Sequence, residues 1–196
     1  MLKKISSLGI FGIFRLLSNL MITKLFFPGC RIVRSPFYIR KVGKLVLGSG
    51  FSSGPGLIID VLNESASIVI GKNVYANYRL HIGANFSVEI GDDCLFGSDC
   101  LIIDHNHGSY KLDCQSHPME APVRRVLAGG PIKIGDKCWF GDRVSVLPGV
   151  TVGAGVIVGV GSVILNDLPD YVIANGVPAK VVKKFDFSIG AWVKVN

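Results

Sequence analysis

At 196 residues the chain can form one domain with a real core, and 49% hydrophobic against 18% charged residues excludes a disordered protein. The net charge of +7 is unevenly held: residues 1–59 carry nine Lys or Arg and no Asp or Glu, whereas the remainder carries twelve basic and fourteen acidic side chains. A basic, apolar lead-in before a nearly neutral body points to an anionic surface, and without a nucleic-acid-binding motif it argues against a nucleic-acid partner.

Residues 1–27 read as a helix, the substance of an N-terminal unit over 1–30. Lys4, Ser7, Arg15, Ser18 and Asn19 make a narrow polar stripe, interrupted by Phe11, and most other positions are apolar. The run 8–27 is long enough to cross a bilayer. Arg15 and Lys24, at roughly 2.5–3.5 kcal/mol each if central, nearly cancel the gain from its Leu, Ile and Phe side chains. The preferred expectation is an amphipathic helix in the membrane interface, with Lys and Arg reaching headgroups. A true span, or a helix packed as a cap on the following domain, are the alternatives. Pro28-Gly29 stops the helix.

Beyond it the pattern turns to β. Arg31-Ile32-Val33, Phe37-Tyr38-Ile39, Leu45-Val46-Leu47 and Leu57-Ile58-Ile59 are strand-like runs with Gly48, Gly50, Gly54 and Gly56 at bends. From Ile68 the chain becomes regular. Inward-type residues come as pairs two apart, one pair every six residues apart from one step of eight: Ile68/Ile70, Val74/Ala76, Leu80/Ile82, Val88/Ile90, Cys94/Phe96 and Cys100/Ile102. After a break they resume as Ile132/Ile134, Cys138/Phe140, Val144/Val146, Val150/Val152, Val156/Val158 and Ser162/Ile164. Residues two apart share one face of a strand. Eight pairs are followed at once by Gly (71, 83, 91, 97, 135, 141, 153 and 159), expected to supply positive φ at sharp corners. Strand and corner at a period of six predict an all-β parallel β-helix, a solenoid over 31–182, and not a sandwich of uneven strands.

The break, residues 103–131, predicts one long loop inserted between coils. It gathers three of the four histidines (His105, His107 and His117) with Asp104, Asp113, Glu120, Arg124 and Arg125, and insertions of this kind carry sites. Residues 167–175 leave the register, Asn175-Gly176-Val177-Pro178-Ala179-Lys180 reads as a turn, and 183–196 is expected to be a basic tail. Cys94, Cys100 and Cys138 fall at inward positions, where a free thiol acts as an apolar filler. Cys30 and Cys114 lie outside the repeat. Without an evident cleavable signal, a reducing cytoplasm is the expected compartment, with peripheral attachment to the inner face of the cell membrane.

The run 68–77, Asp104-His105-Asn106-His107-Gly108, Cys138-Trp139-Phe140-Gly141, Leu147-Pro148-Gly149-Val150, Gly161-Ser162-Val163 and Gly176-Val177-Pro178-Ala179-Lys180 resemble the hexapeptide-repeat acetyltransferases. The basic lead-in looks most like the O-acetyltransferases of lipopolysaccharide O-antigen and surface-polysaccharide synthesis. The resemblance implies a left-handed β-helix, a homotrimer, acetyl-CoA as donor, no metal, and an active site between subunits. It places the catalytic histidine at His105, with His107 as competitor. It sets Asn77, with Asp104 and Asn106, at the acceptor. Trp139 falls near the acetyl and pantetheine arm, and Gly159, Val160 and Gly161 near the CoA groove. Phe140 and Gly159-Val160-Gly161 depart from the family's usual Ile and Gly-Ala-Gly.

Acetyl transfer to a sugar hydroxyl needs a base, because an alcohol is a poor nucleophile at neutral pH, and histidine side chains suit the task. His105 would take the hydroxyl proton and return it to the leaving thiolate, with no acyl-enzyme. A backbone N–H at the Gly141–Asp142 corner is the expected oxyanion donor, and Lys180, Lys183 and Lys184 are basic partners for CoA phosphates. Three rivals stand beside this. A γ-class carbonic anhydrase would hold zinc on converging histidines. A transferase could act on a small sugar or a nucleotide sugar. A membrane-anchored scaffold would leave the histidines idle.

Overall fold

A computed structural model describes residues 9–111 and 113–195. The chain winds through three parallel faces in turn, and each circuit stacks on the last. Face A is a nine-stranded sheet, face B has six strands and face C five. The first circuit runs Ile32–Val33 on A, Phe37–Lys41 on B and Lys44–Leu47 on C. The second follows with Ser52–Ser53, Leu57–Val61 and Ser67–Ile70, so the irregular runs before Ile68 are full coils.

All twelve expected pairs, including Ser162, lie within the solenoid with 4% exposure or less. Phe96 and Phe140 stack inside with ring centroids 4.8 Å apart. Full burial of a Val, Leu or Ile side chain is worth about 1.5–3 kcal/mol, so the repeat itself supplies the core. Inward Ser162 is satisfied by donating to the Gly159 carbonyl at 2.7 Å.

The glycines after the pairs work differently from expectation. None of the eight takes positive φ; the left-handed residues lie elsewhere on the corners, among them Asn73, Arg79, Asp93, Asp99, Lys137 and Arg143. The glycines are required by close approach between coils: a Cβ on Gly141 would stand 2.8 Å from the backbone N of Val160. Side chains then bind the corners, as where Asp136 accepts the Asp92 N–H at 2.8 Å and Asp142 the Ser98 N–H at 2.6 Å.

The helix spans Ile10–Phe26; the expected helix over 1–8, with Lys4 and Ser7, lies outside the described residues. Its polar stripe faces the protein. Thr23 Oγ1 accepts the Val33 N–H at 2.8 Å, Asn19 Oδ1 accepts the Ser35 N–H at 3.0 Å, and Arg15 donates to the Ser35 carbonyl. These contacts close the open edge of the first coil, which would otherwise offer unpaired backbone groups. Phe11, Phe14, Leu17, Met21 and Leu25 are left exposed. No helix among the described residues is long and apolar enough to cross a membrane.

Two further expectations are corrected. Residues 183–195 of the expected tail are not a tail: Lys180–Asp186 and Ala191–Lys194 add two antiparallel strands to face A, so 182 falls inside a strand. They cover the last edge, and Phe185, Phe187, Trp192 and Tyr171 pack edge to face there. The insertion, in turn, is not a plain loop. His105–His107 pairs antiparallel with Leu127–Gly129, and a small hairpin joins Tyr110–Lys111 to Cys114–Gln115.

Candidate active site

The insertion leaves the fourth coil at the corner between faces B and C. Asp104 is the first residue past that coil's face-B strand, and it is fully buried. Its Oδ1 accepts the Asn85 N–H and its Oδ2 the Phe86 N–H, each at 2.8 Å. Oδ1 also lies 2.9 Å from Nδ1 of His105. A carboxylate accepts, so Nδ1 carries the proton and Nε2 is the free acceptor. The His105 side chain is only 13% exposed. Asp104, expected at the acceptor, is thus fully buried and hydrogen-bonded to His105.

His105 and His107 both line a cleft of about 400 Å³ over face B, with Arg40, Asp60, His81 and Gly83. The volume falls within the roughly 300–1,000 Å³ of small-molecule sites. The His107 side chain is exposed, and its backbone carbonyl accepts from the Tyr110 hydroxyl at 2.8 Å. Asn106, between them on the strand, is exposed and does not line this cleft within one chain. The cleft exists because face B has Gly83 at its centre: a Cβ there would stand 2.7 Å from Ile103 Cδ1 and 3.5 Å from His105 Cε1. Sequence reading missed Arg40, Asp60 and His81 as site residues. The available signal was the spacing of 20 between Arg40 and Asp60, repeated at Arg79 and Asp99, which is one circuit of the coil.

The expected CoA residues sit elsewhere. Trp139 points outward on face A between Leu95 and Ile157, half exposed. Gly141, Asp142, Gly159, Val160 and Gly161 follow face-A strands at the corner between faces A and B, as does Asn77. Within one chain, the width of face B separates this corner from His105. The Gly141 N–H is spent on the Val158 carbonyl at 2.9 Å, and the Asp142 N–H has no partner among the described residues. The Asp142 carboxylate is taken up by Ser98. Lys180, Lys183 and Lys184 lie on the Lys180–Asp186 strand, with Lys180 and Lys184 exposed.

All five cysteines are free thiols. Burial pushes Cys100 up to about 11, and its Sγ donates to the Gly141 carbonyl. Cys94, stacked on Cys138 in the next coil, is also raised, first by its hydrogen bond to that thiol. Neither is a poised nucleophile. Among the described residues no three His, Cys, Asp or Glu side chains are grouped to hold one metal ion.

Residues 131–166 match the family described as bacterial transferase hexapeptide (six repeats), and residues 87–103 the hexapeptide repeat of succinyl-transferase. Over 194 residues the chain is 40% identical to "Putative lipopolysaccharide biosynthesis O-acetyl transferase WbbJ" of Escherichia coli (strain K12), with 98% of each chain covered. The solved maltose O-acetyltransferase from Clostridium difficile 630 superposes with a TM-score of 0.57 at 29% identity, covering 72% of this chain and 70% of that one. Galactoside acetyltransferase in complex with coenzyme A gives 0.55 at 26% identity, over 79% and 72%.

Proposed function

This chain belongs to the hexapeptide-repeat acetyltransferases, and on that premise we propose that it moves an acetyl group from acetyl-CoA to a sugar hydroxyl during surface-polysaccharide synthesis. The enzyme class and the donor are those of its relatives. The observation that carries the mechanism is the Asp104–His105 pair at the cleft, with one ring nitrogen held and the other free.

In this mechanism Nε2 of His105 takes the proton of the acceptor hydroxyl as its oxygen attacks the thioester carbonyl. The tetrahedral intermediate collapses, the C–S bond breaks, and the same proton passes from Nε2 to the leaving CoA thiolate. Transfer is direct, in keeping with Cys94, Cys100 and Cys138 being buried inside the coils. General-base help of this kind contributes roughly 10²–10⁴-fold. The developing oxyanion is met by the Asp142 N–H, narrowed from the Gly141–Asp142 corner because the Gly141 N–H is already bonded.

The separation of that corner from His105 supports a site shared between subunits of a homotrimer: one chain brings the histidine, its neighbour the Trp139 and Asp142 side. Lys180, Lys183 and Lys184 then serve the CoA phosphates. The helix supports peripheral attachment to an anionic membrane at its cytoplasmic face, because its apolar side is exposed and the sequence carries nine basic residues before the first acid, Asp60. Mass and NMR analysis of the surface glycan from cells with and without this protein tests the function; loss of O-acetyl groups supports it, and an unchanged glycan contradicts it.

A further inference from the structure

Arg40, Asp60 and His81 occupy one end of the cleft, and acetyl transfer at His105 gives them no part. They come from three successive coils on face B. Arg40 and Asp60 are direct register partners, as are Asp60 and Gly83. Asp60 Oδ1 accepts from Arg40 Nε at 3.0 Å, and its Oδ2 lies 3.3 Å from His81 Nε2. The carboxyl side chain is 16% exposed, whereas Arg40 is 52% and His81 36% exposed. The cluster thus presents its donors to the cleft over a carboxylate set at its floor.

Stability accounts poorly for this arrangement. An ion pair as open as Arg40–Asp60 contributes little, and the parallel ladder already fixes the register of these strands. The cleft, by contrast, needs a feature here. Gly83 removes the one side chain that would stand between His81 and His105, its absent Cβ lying 4.0 Å from His81 Nε2 and 3.5 Å from His105 Cε1. From the Asp60 row to the Ile103 row is two coil steps, roughly 9–10 Å, room for one sugar ring laid across the glycine.

We infer that Arg40, Asp60 and His81 form the acceptor subsite and take an uncharged sugar ring through two neighbouring hydroxyls. A hydroxyl both donates and accepts. Each Asp60 oxygen keeps a lone pair beyond those used by Arg40 and His81, and four of the five guanidinium N–H groups remain free once Nε is bonded. One ring hydroxyl donates to Asp60 and its neighbour accepts from Arg40, while a third hydroxyl across the ring reaches Nε2 of His105. Arg40 is already paired with Asp60, so the subsite offers no uncompensated cation to a carboxylate or phosphate, and it favours neutral sugars over uronates and sugar phosphates. The inference names the acceptor class for the acetyl transfer proposed here and rests on it.

The test is acetyl-CoA-dependent acetylation of methyl hexopyranosides beside the matching methyl uronosides, followed by CoA thiol release and by mass. The full-length protein is expected to acetylate at least one neutral glycoside and to disfavour its uronoside. In Arg40→Ala and Asp60→Asn the glycoside KM should rise at least roughly tenfold, the weight of a hydrogen bond to a charged group, while the acetyl-CoA KM holds. Arg40 is exposed, so its variant folds even if Asp60→Asn does not. Preference for the uronoside, refusal of every neutral glycoside, or an unchanged glycoside KM in Arg40→Ala overturns the subsite. Failure of acetyl transfer itself shows separately, as His105→Ala turning over acetyl-CoA at the wild-type rate.

Discussion

Oδ1 of Asp104 lies 2.9 Å from Nδ1 of His105, and the same buried carboxylate takes the N–H groups of Asn85 and Phe86. One side chain therefore fixes both the corner of the preceding coil and the tautomer of the histidine. Asp104→Asn replaces an acceptor-only group with one that also donates, so the imidazole loses its orientation. The expected result is a fall in kcat of roughly 10²–10⁴-fold with the acetyl-CoA KM unchanged. A purely structural role would lower the melting temperature and leave kcat of the folded fraction intact.

The polar stripe of the helix is its attachment, and the apolar side is its free surface. Thr23→Val leaves the Val33 N–H unpaired, which should cost about 1–3 kcal/mol in denaturant unfolding. Phe11→Asp with Phe14→Asp, on the exposed side, should keep stability and abolish sedimentation with phosphatidylglycerol vesicles while wild type still pellets. Vesicle binding that survives the double substitution would refute the membrane contact.

A site divided between Trp139 and His105 requires a neighbour. Light scattering at micromolar concentration should give three times the chain mass of 21.1 kDa. A monomer active at that concentration would contradict the shared site.

The thiols give a check on the core. Iodoacetamide at pH 8 should label exposed Cys114 and spare Cys94, Cys100 and Cys138 until the protein unfolds, as read by mass. Cys100 is held at about 11 against an ordinary 9.0. The folded state keeps its proton longer, so this contribution to stability is complete below pH 9 and is lost as pH rises towards 11. Labelling of Cys100 in the native state would show that the coil breathes.

The coils were legible because the inward side chains alone obey a strict spacing; from Ile132/Ile134 to Ser162/Ile164 the pairs recur every six residues without a slip. The glycines were legible as corners but for the wrong reason, since contact with the next coil, as at Gly141 and Val160, leaves no periodic mark distinct from that of φ. The histidines stood out by their clustering, yet the burial of Asp104 depends on Asn85 and Phe86 from an earlier coil. The helix stripe was visible, but not which way it faced, because polar residues that satisfy an edge strand look like those that meet water. Arg40, Asp60 and His81 were hidden for a similar reason: they meet only across successive coils.

The most direct measurement is the O-acetyl content of the surface glycan in cells whose only copy carries His105→Ala, beside cells carrying His107→Ala. Residues two apart on the His105–His107 strand are separated by roughly 6–7 Å, and only His105 is backed by a carboxylate. The account predicts loss of acetylation with His105→Ala, the protein remaining folded by circular dichroism, and a smaller decrease with His107→Ala. Retained acetylation in His105→Ala, or loss confined to His107→Ala, would contradict it.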